Sequence, residues 1–333
     1  MDAIISSGQS WWFRSAVQLA SSAFLASATG VTSFLDHILP HRLKDEPDHL
    51  IASTLELWKY QSQSDPPTEA CSHIQKSWDT PIVEKMTTFL LDHASDDYHR
   101  ARLLATRSQS ASDWLTALPL SSIGLRLDNE AIRIAVALRL GSVVCEPHVC
   151  RCGKLVDARG GHCLSCKFGS GKFIRHNLLN DVIWRSLNKA QIPSIKEPPG
   201  LFRNDGKRTD GVTLIPWSHG KCLTWDVTVP DTVAASHLGI TSLLAASAAE
   251  KASINKERKY EQLLHSHHFV AVAVETFGSW SEDGLKFVNE LGKRLSRISG
   301  EQREGMFLRQ RLSIALQRGN AVAFKDSFDV KMD

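Results

Sequence analysis

The chain has 333 residues, 42% hydrophobic, 23% charged and 8% aromatic, which excludes a disordered or fibrous protein and leaves room for two domains with a sizeable core. No apolar run reaches the roughly 18 residues that a membrane span needs. The net charge of +3 is unevenly spread, with 12 Lys/Arg against 17 Asp/Glu in residues 1–149 and 27 against 19 in the remainder; unless that asymmetry is chance, the second half is the one suited to a polyanion.

Residues 1–141 read as a helical region. The stretch "SAVQLASSAFLASATG" after Arg14 has an A-x-A end like that of a signal peptide, but Gln18 and several serines interrupt it, and it reads as a plain helix. "SQSDPPTEA" (62–70) is a loop by its Pro, Ser and Asp content. "AIRIAVALRLG" sets Ile132, Ile134, Val136, Ala137 and Leu140 at helical spacing, with Asp128 as the expected N-cap and Gly141 as the expected C-cap.

Residues 142–170 are rich in Cys, Gly and His. Five of the seven cysteines lie between Cys145 and Cys166, whereas a disulfide framework would spread them to close loops. Cys150, Cys152, His162 and Cys166 give the spacing C-x-C-x9-H-x3-C, a soft donor set for a closed tetrahedral zinc. Four protein ligands leave no open position, so the expected role is structural. Cys145 and Cys163 are spare candidates, although Cys163 adjoins His162 and adjacent side chains rarely reach one ion. A run of idle buried thiols is the alternative. Such thiols place the chain in a reducing, intracellular compartment, nucleus or cytoplasm. "CKFGSGKF" fails as a phosphate-binding loop at two required places, Cys166 and Phe173.

From Gly171 the pattern is regular. "FIRHNLLNDVIWRSLNKA" is an amphipathic helix ended by Pro193. Strands are predicted at 194–197, 209–217 and 222–229, with "SHGK" as a hairpin loop between the last two. A long helix over about 240–265, a buried strand at 268–276, and helices at about 281–298 and 301–317 follow. The order α-β-β-β-α-β requires a mixed sheet.

Asp226 lies inside the apolar strand "CLTWDVTV", where a carboxylate is costly unless paired or bound to a metal. Asp210 opens the preceding strand and Glu197 closes the one before it. Acids on three neighbouring strands suit one or two Mg²⁺ ions. A one-residue shift of the hairpin would put Asp210 and Asp226 on opposite faces, and the pattern alone leaves that open. Between Cys150 and Lys189 there are eight Lys/Arg and two acids, and Lys172, Arg175 and His176 at a helix start are candidate phosphate contacts, the alternative being a solvated face.

In series, the Cys/His cluster, "RHN", "EPPG", "KRTDGVTLIPW" and "WDVTVPD" resemble the C-terminal part of non-LTR retrotransposon polyproteins that carry a restriction-enzyme-like endonuclease. The segment "SASDWLTALPLSSIGLRLDNEAIRIAVALRLG" is similar to the region after the reverse transcriptase in such elements, and the likeness runs from about Ser108 to Val322. It implies a CCHC zinc knuckle (142–170) from Cys150, Cys152, His162 and Cys166, followed by a PD-(D/E)XK nuclease domain (171–333) in an α+β or α/β fold. Arg175 and His176 match the family's RH pair, and the resemblance implies catalytic Glu197, Asp210 and Asp226 with Mg²⁺ on Asp210 and Asp226, DNA and element RNA as partners, and a nuclear setting without membrane association. Thr209 replaces the proline before Asp210, and Thr228 stands where the superfamily places lysine; Lys256 or Lys259 is the expected substitute, or a solvated helix face. The chain carries no polymerase motif, which implies an element fragment or a host-retained remnant. Two further readings stand beside the nuclease: a binding module without cleavage, and an interaction protein built on the N-terminal helices.

Overall fold

The structure, a computed structural model, describes residues 16–38, 49–199 and 208–328. Gly200 and Lys207, which end and begin two of the motifs above, lie outside them. Helices α1 (Ala16–Ile38), α2 (His49–Ser62) and α3 (Gln75–Asp92) belong to the first of two compact units, whose boundary falls at Ala94/Ser95. Leu25, Ala26, Trp58 and Trp78 form its core. The two indoles meet edge to face at 5.0 Å, and Trp58 Nε1 donates to the Trp78 carbonyl. The signal-like stretch is α1, and the proline-containing loop leaves α2 at Ser62.

The second unit, mixed α and β, begins with α4 (Asp97–Arg107) and α5 (Asn129–Leu140). The expected caps of α5 are present: Asp128 Oδ1 accepts from the Ala131 amide at 2.7 Å, and Gly141 closes the helix at φ 68°. A two-residue antiparallel pair, β1 (His148–Val149) and β2 (Leu155–Val156), and the short α6 (Gly161–Ser165) build the Cys/His segment. Cys150, Val156, Cys163, Leu164 and Cys166 share one core with Trp114, Ile134 and Leu138 upstream and with Ile314 and Phe324 far downstream. The sequence boundary at 141/142 therefore crosses a continuous core, and the compact-unit boundary lies at 94/95 instead.

Next come α7 (Gly171–Lys189), β3 (Ser194–Lys196), β4 (Gly211–Thr213), β5 (Cys222–Thr228), α8 (Ala235–Thr241), α9 (Ser247–Lys259), β6 (His267–Ala273), α10 (Glu282–Ser299) and α11 (Glu304–Lys325). The sheet order is β3-β4-β5-β6. The first two pairings are antiparallel, and β5–β6 is parallel across the α8–α9 connection. The hairpin turns at His219 and Gly220, both at positive φ, with Ser218 and Lys221 bridged as a two-residue loop requires. Leu223, Trp225 and Val227 of β5 and Val272 of β6 pack against α7, α10 and α11. Gly211 gives way to the Trp225 ring, 2.0 Å from where a Cβ would stand.

The single long helix expected over 240–265 is instead α8, α9 and a 3-10 turn at Glu261–His265. Ala246 is left-handed (φ 64°), and the fully buried Glu275 accepts from the Ala248 and Ala249 amides, capping α9 from a distant loop. Strand β4 is also shorter than expected, because Thr213 Oγ1 turns to the Ile215 carbonyl and the chain leaves the ladder.

A candidate metal centre and an acid-lined cleft

Cys150 follows β1 directly. Its carbonyl accepts from the Gly153 amide at 2.7 Å, and Gly153 is left-handed (φ 81°), so the chain doubles back tightly around Cys152. His162 lies on α6 and Cys166 just past its end. The four donor atoms lie within 4.8 Å of one another, with Cys150 and Cys166 sulfurs 3.6 Å apart and Cys152 Sγ 3.1 Å from His162 Nε2. A tetrahedral zinc with bonds of about 2.3 Å to sulfur and about 2.0 Å to nitrogen separates its ligands by roughly 3.5–3.8 Å, so this donor set fits that ion. Cys163 turns into the core, where burial pushes its thiol up to about 12, and Cys145 Sγ approaches the Asp157 carbonyl. Neither joins the four. The loop is tied to α4 by Arg159, which pairs with Asp96 at 2.7 Å.

Asp210 and Asp226 open on one side of the sheet, although the paired ladder ends at Gly211, one residue short of Asp210. Gly211 faces Trp225 and Lys196 faces Gly211. Beyond these pairs the ladder is irregular, and Glu197, Asp210 and Asp226 lie on or just past three neighbouring strands around one cleft. The Glu197 amide donates to the Asp210 carbonyl at 3.1 Å, and the Asp210 amide donates to the Trp225 carbonyl at 3.0 Å, so Asp210 and Gly211 both stand opposite Trp225 as in a bulge. Asp226 points away from the apolar side of β5, to where α9 lies.

All three acids line one cleft of about 610 Å³, together with Lys172, His176, Arg208, Thr228, Lys256, Lys259 and Tyr260. Lys256 Nζ donates to Asp226 Oδ1 at 2.6 Å. Asp210 Oδ2 accepts from the Val227 amide at 2.6 Å and lies 2.7 Å from His176 Nε2. Burial raises the Asp226 carboxyl above its ordinary range, the Asp210 charge adds to this, and Lys256 pulls back only in part. Burial alone would lower His176, but its hydrogen bond to Asp210 and that charge outweigh it, so the imidazole holds its proton above the usual value.

No protein-family model matches this chain, and neither does any curated protein. The cleft and the Cys/His centre therefore stand on their own geometry.

Three expectations change. Arg175 does not face nucleic acid: it is fully buried, its Nη atoms donating to the Leu164 carbonyl and to Asn320 Oδ1, so it pins the Cys/His segment to α7 and α11. The three carboxylates share a cleft but, among the described residues, only the Cys/His set brings three or more donors together closely enough to hold one ion. Glu197, at φ 47°, leaves the strand direction, while Lys256 and His176 hold Asp226 and Asp210. Of the two candidate lysines, Lys256 reaches an acid, whereas Lys259 Nζ sits 5.0 Å over the Tyr260 ring. Tyr260 was missed by sequence reading. It lies four residues after Lys256, hence on the same helix face, and that spacing was the available signal.

Proposed function

We propose that this chain is a divalent-metal-dependent endonuclease acting on DNA, in the manner of the restriction-enzyme-like domain of non-LTR retrotransposon polyproteins, with a structural zinc in the Cys/His centre and a nuclear place of action. The observation that supports the reading is the convergence of Glu197, Asp210 and Asp226, from three neighbouring strands, on one cleft whose other charged walls include Lys172, Arg208, Lys256 and Lys259. A cleft with cations around a carboxylate pair suits a phosphodiester, which brings negative charge and needs it compensated. Magnesium, held by Asp210 and Asp226, would polarise the phosphate and lower the pKa of a water. Lys256 is placed to donate to the phosphate oxygens as charge builds there, standing in for the lysine that Thr228 replaces. His176 orients Asp210, and Lys172 and Lys259 draw the polyanion in. In an intact element, the resulting nick would prime reverse transcription, with element RNA bound alongside.

A second reading, nucleic-acid binding without cleavage, is favoured by the fact that Lys256 and His176 already engage the two aspartates. Supercoiled plasmid with MgCl₂ separates the two. The wild-type chain should nick it, Asp226→Ala and Asp210→Ala should each abolish nicking while plasmid binding persists, and Lys256→Ala should slow it by about 10²–10³. A zinc-loaded wild-type protein that never nicks but still binds leaves only the second reading.

A further inference from the structure

Between the last Cys/His ligand and the first turn of α7 runs "CKFGSGKF" (166–173). Its two aromatics, Phe168 and Phe173, are 72% and 69% exposed. Large aromatics are ordinarily buried, so two of them within six residues need an account. The segment that carries them is firmly held. Cys166 belongs to the metal-fitting cluster. The Ser170 amide donates to Asp326 Oδ2 at 3.0 Å. Gly171 packs on Ala323 so closely that a Cβ would lie 2.2 Å from its methyl. The phenylalanines are thus presented to solvent by a fixed backbone. Lys167 and Lys172 alternate with them, and neither has an ion-pair partner among the described residues. From Ala158 to Asn180 the sequence contains no acid. Lys172 lines both the acid-lined cleft and a second depression beside His162.

We infer that Phe168 and Phe173 are a stacking platform for unpaired bases, with Lys167 and Lys172 on the adjoining phosphates, so that the cleft receives a locally single-stranded segment rather than an intact duplex. Every base offers a π-face, and exposed aromatics interleaved with free cations supply both halves of single-strand recognition. Paired bases are buried in their own stack and offer these rings nothing, so the preference is for unpaired strand. The inference rests on the nucleic-acid reading above and adds the substrate class to it.

The test is binding of a short fluorescein-labelled oligo(dT), and of a duplex of equal length, to zinc-loaded protein without magnesium. Phe168→Ala/Phe173→Ala should weaken oligo(dT) binding about tenfold or more and duplex binding less than about twofold. Phe168→Leu/Phe173→Leu, which keeps apolar surface without a π-face, should behave like the alanine pair, and Phe168→Trp/Phe173→Trp should retain wild-type affinity. Lys167→Ala/Lys172→Ala should reduce the slope of log affinity against log salt by about 1.4 on oligo(dT). Equal losses on both probes, no loss, or full binding by the leucine pair would overturn the platform. So would a wild-type chain with no affinity for oligo(dT), even one that nicks plasmid, and that outcome leaves the endonuclease reading standing. Failure of Asp226→Ala to abolish nicking sinks the endonuclease reading without touching the platform.

Discussion

Arg175 and His176 are neighbours in sequence but about 100° apart around α7. That rotation sends one guanidinium into the core and one imidazole to the cleft. Burial lowers Arg175 to about 10, which leaves it charged at neutral pH, so its charge must be met by Leu164, Asn320 and the nearby Asp231. Arg175→Ala should therefore cost about 2–4 kcal/mol, measured by urea denaturation, whereas Lys172→Ala should leave stability unchanged. Gly319 belongs to the same contact, with Arg175 Cγ 2.1 Å from where its Cβ would be. Sequence could place Arg175 on an amphipathic helix. It could not tell that the partner of that face is a glycine on the last helix, because the two meet only through tertiary packing. Asp96 gives a pH prediction. Partial burial pushes its carboxyl up, but the His99 amide and Arg159 together pull it down further, to a net value below the usual one. Stability from a lowered carboxyl is present above the unfolded value, about 4, and is lost as pH falls through the folded one. Asp96→Ala should lose about 1 kcal/mol at neutral pH, the worth of an N-cap, and the gap to wild type should close below about pH 4. Thermal melts across that range measure it.

Among the elements, β1 and β2 are two residues each and α6 is five. A two-stranded ribbon is marginal in water, and so is a helix that short. Their order depends on the Cys/His donors and on the core shared with α5 and α11. Cys166→Ser, or chelation, should lower the melting temperature and let Cys150, Cys152 and Cys163 react with a thiol reagent in the otherwise native protein, while an untreated chain should carry about one zinc. The four ligands were legible because metal chemistry restricts residue type and spacing, and the structure brings those four together. The hairpin register was not legible: alternation fixes faces only relative to a partner, and the partner's register is set by Gly211 accommodating Trp225. The break at Ala246 was hidden for a like reason, since the cap on α9 comes from Glu275, more than twenty residues later.

At the scale of the molecule, composition and charge asymmetry pointed to the basic half, and the cleft and the Cys/His centre both lie there. Sequence also drew a line at 141, where helix signals give way to Cys and Gly. The packing ignores that line. Ala105, Trp114, Leu125, Ile134 and Leu138 share a core with Val156, Leu164, Phe277 and Phe324, and Ser108 Oγ and the Ala105 carbonyl bond to the buried Ser279. Residues 95–141 therefore cover apolar surface that would otherwise face water, at roughly 25 cal/mol per Å². A chain beginning at Ser95 should fold cooperatively and bind zinc and, on the proposed nuclease reading, bind DNA with the same salt dependence as the full chain. A chain beginning at Ser142 should expose that core and either aggregate or bind a hydrophobic dye strongly. Calorimetry and dye fluorescence on the two truncations decide it. Comparable folding by both would mean that the helices of 95–141 contribute little to the core they touch.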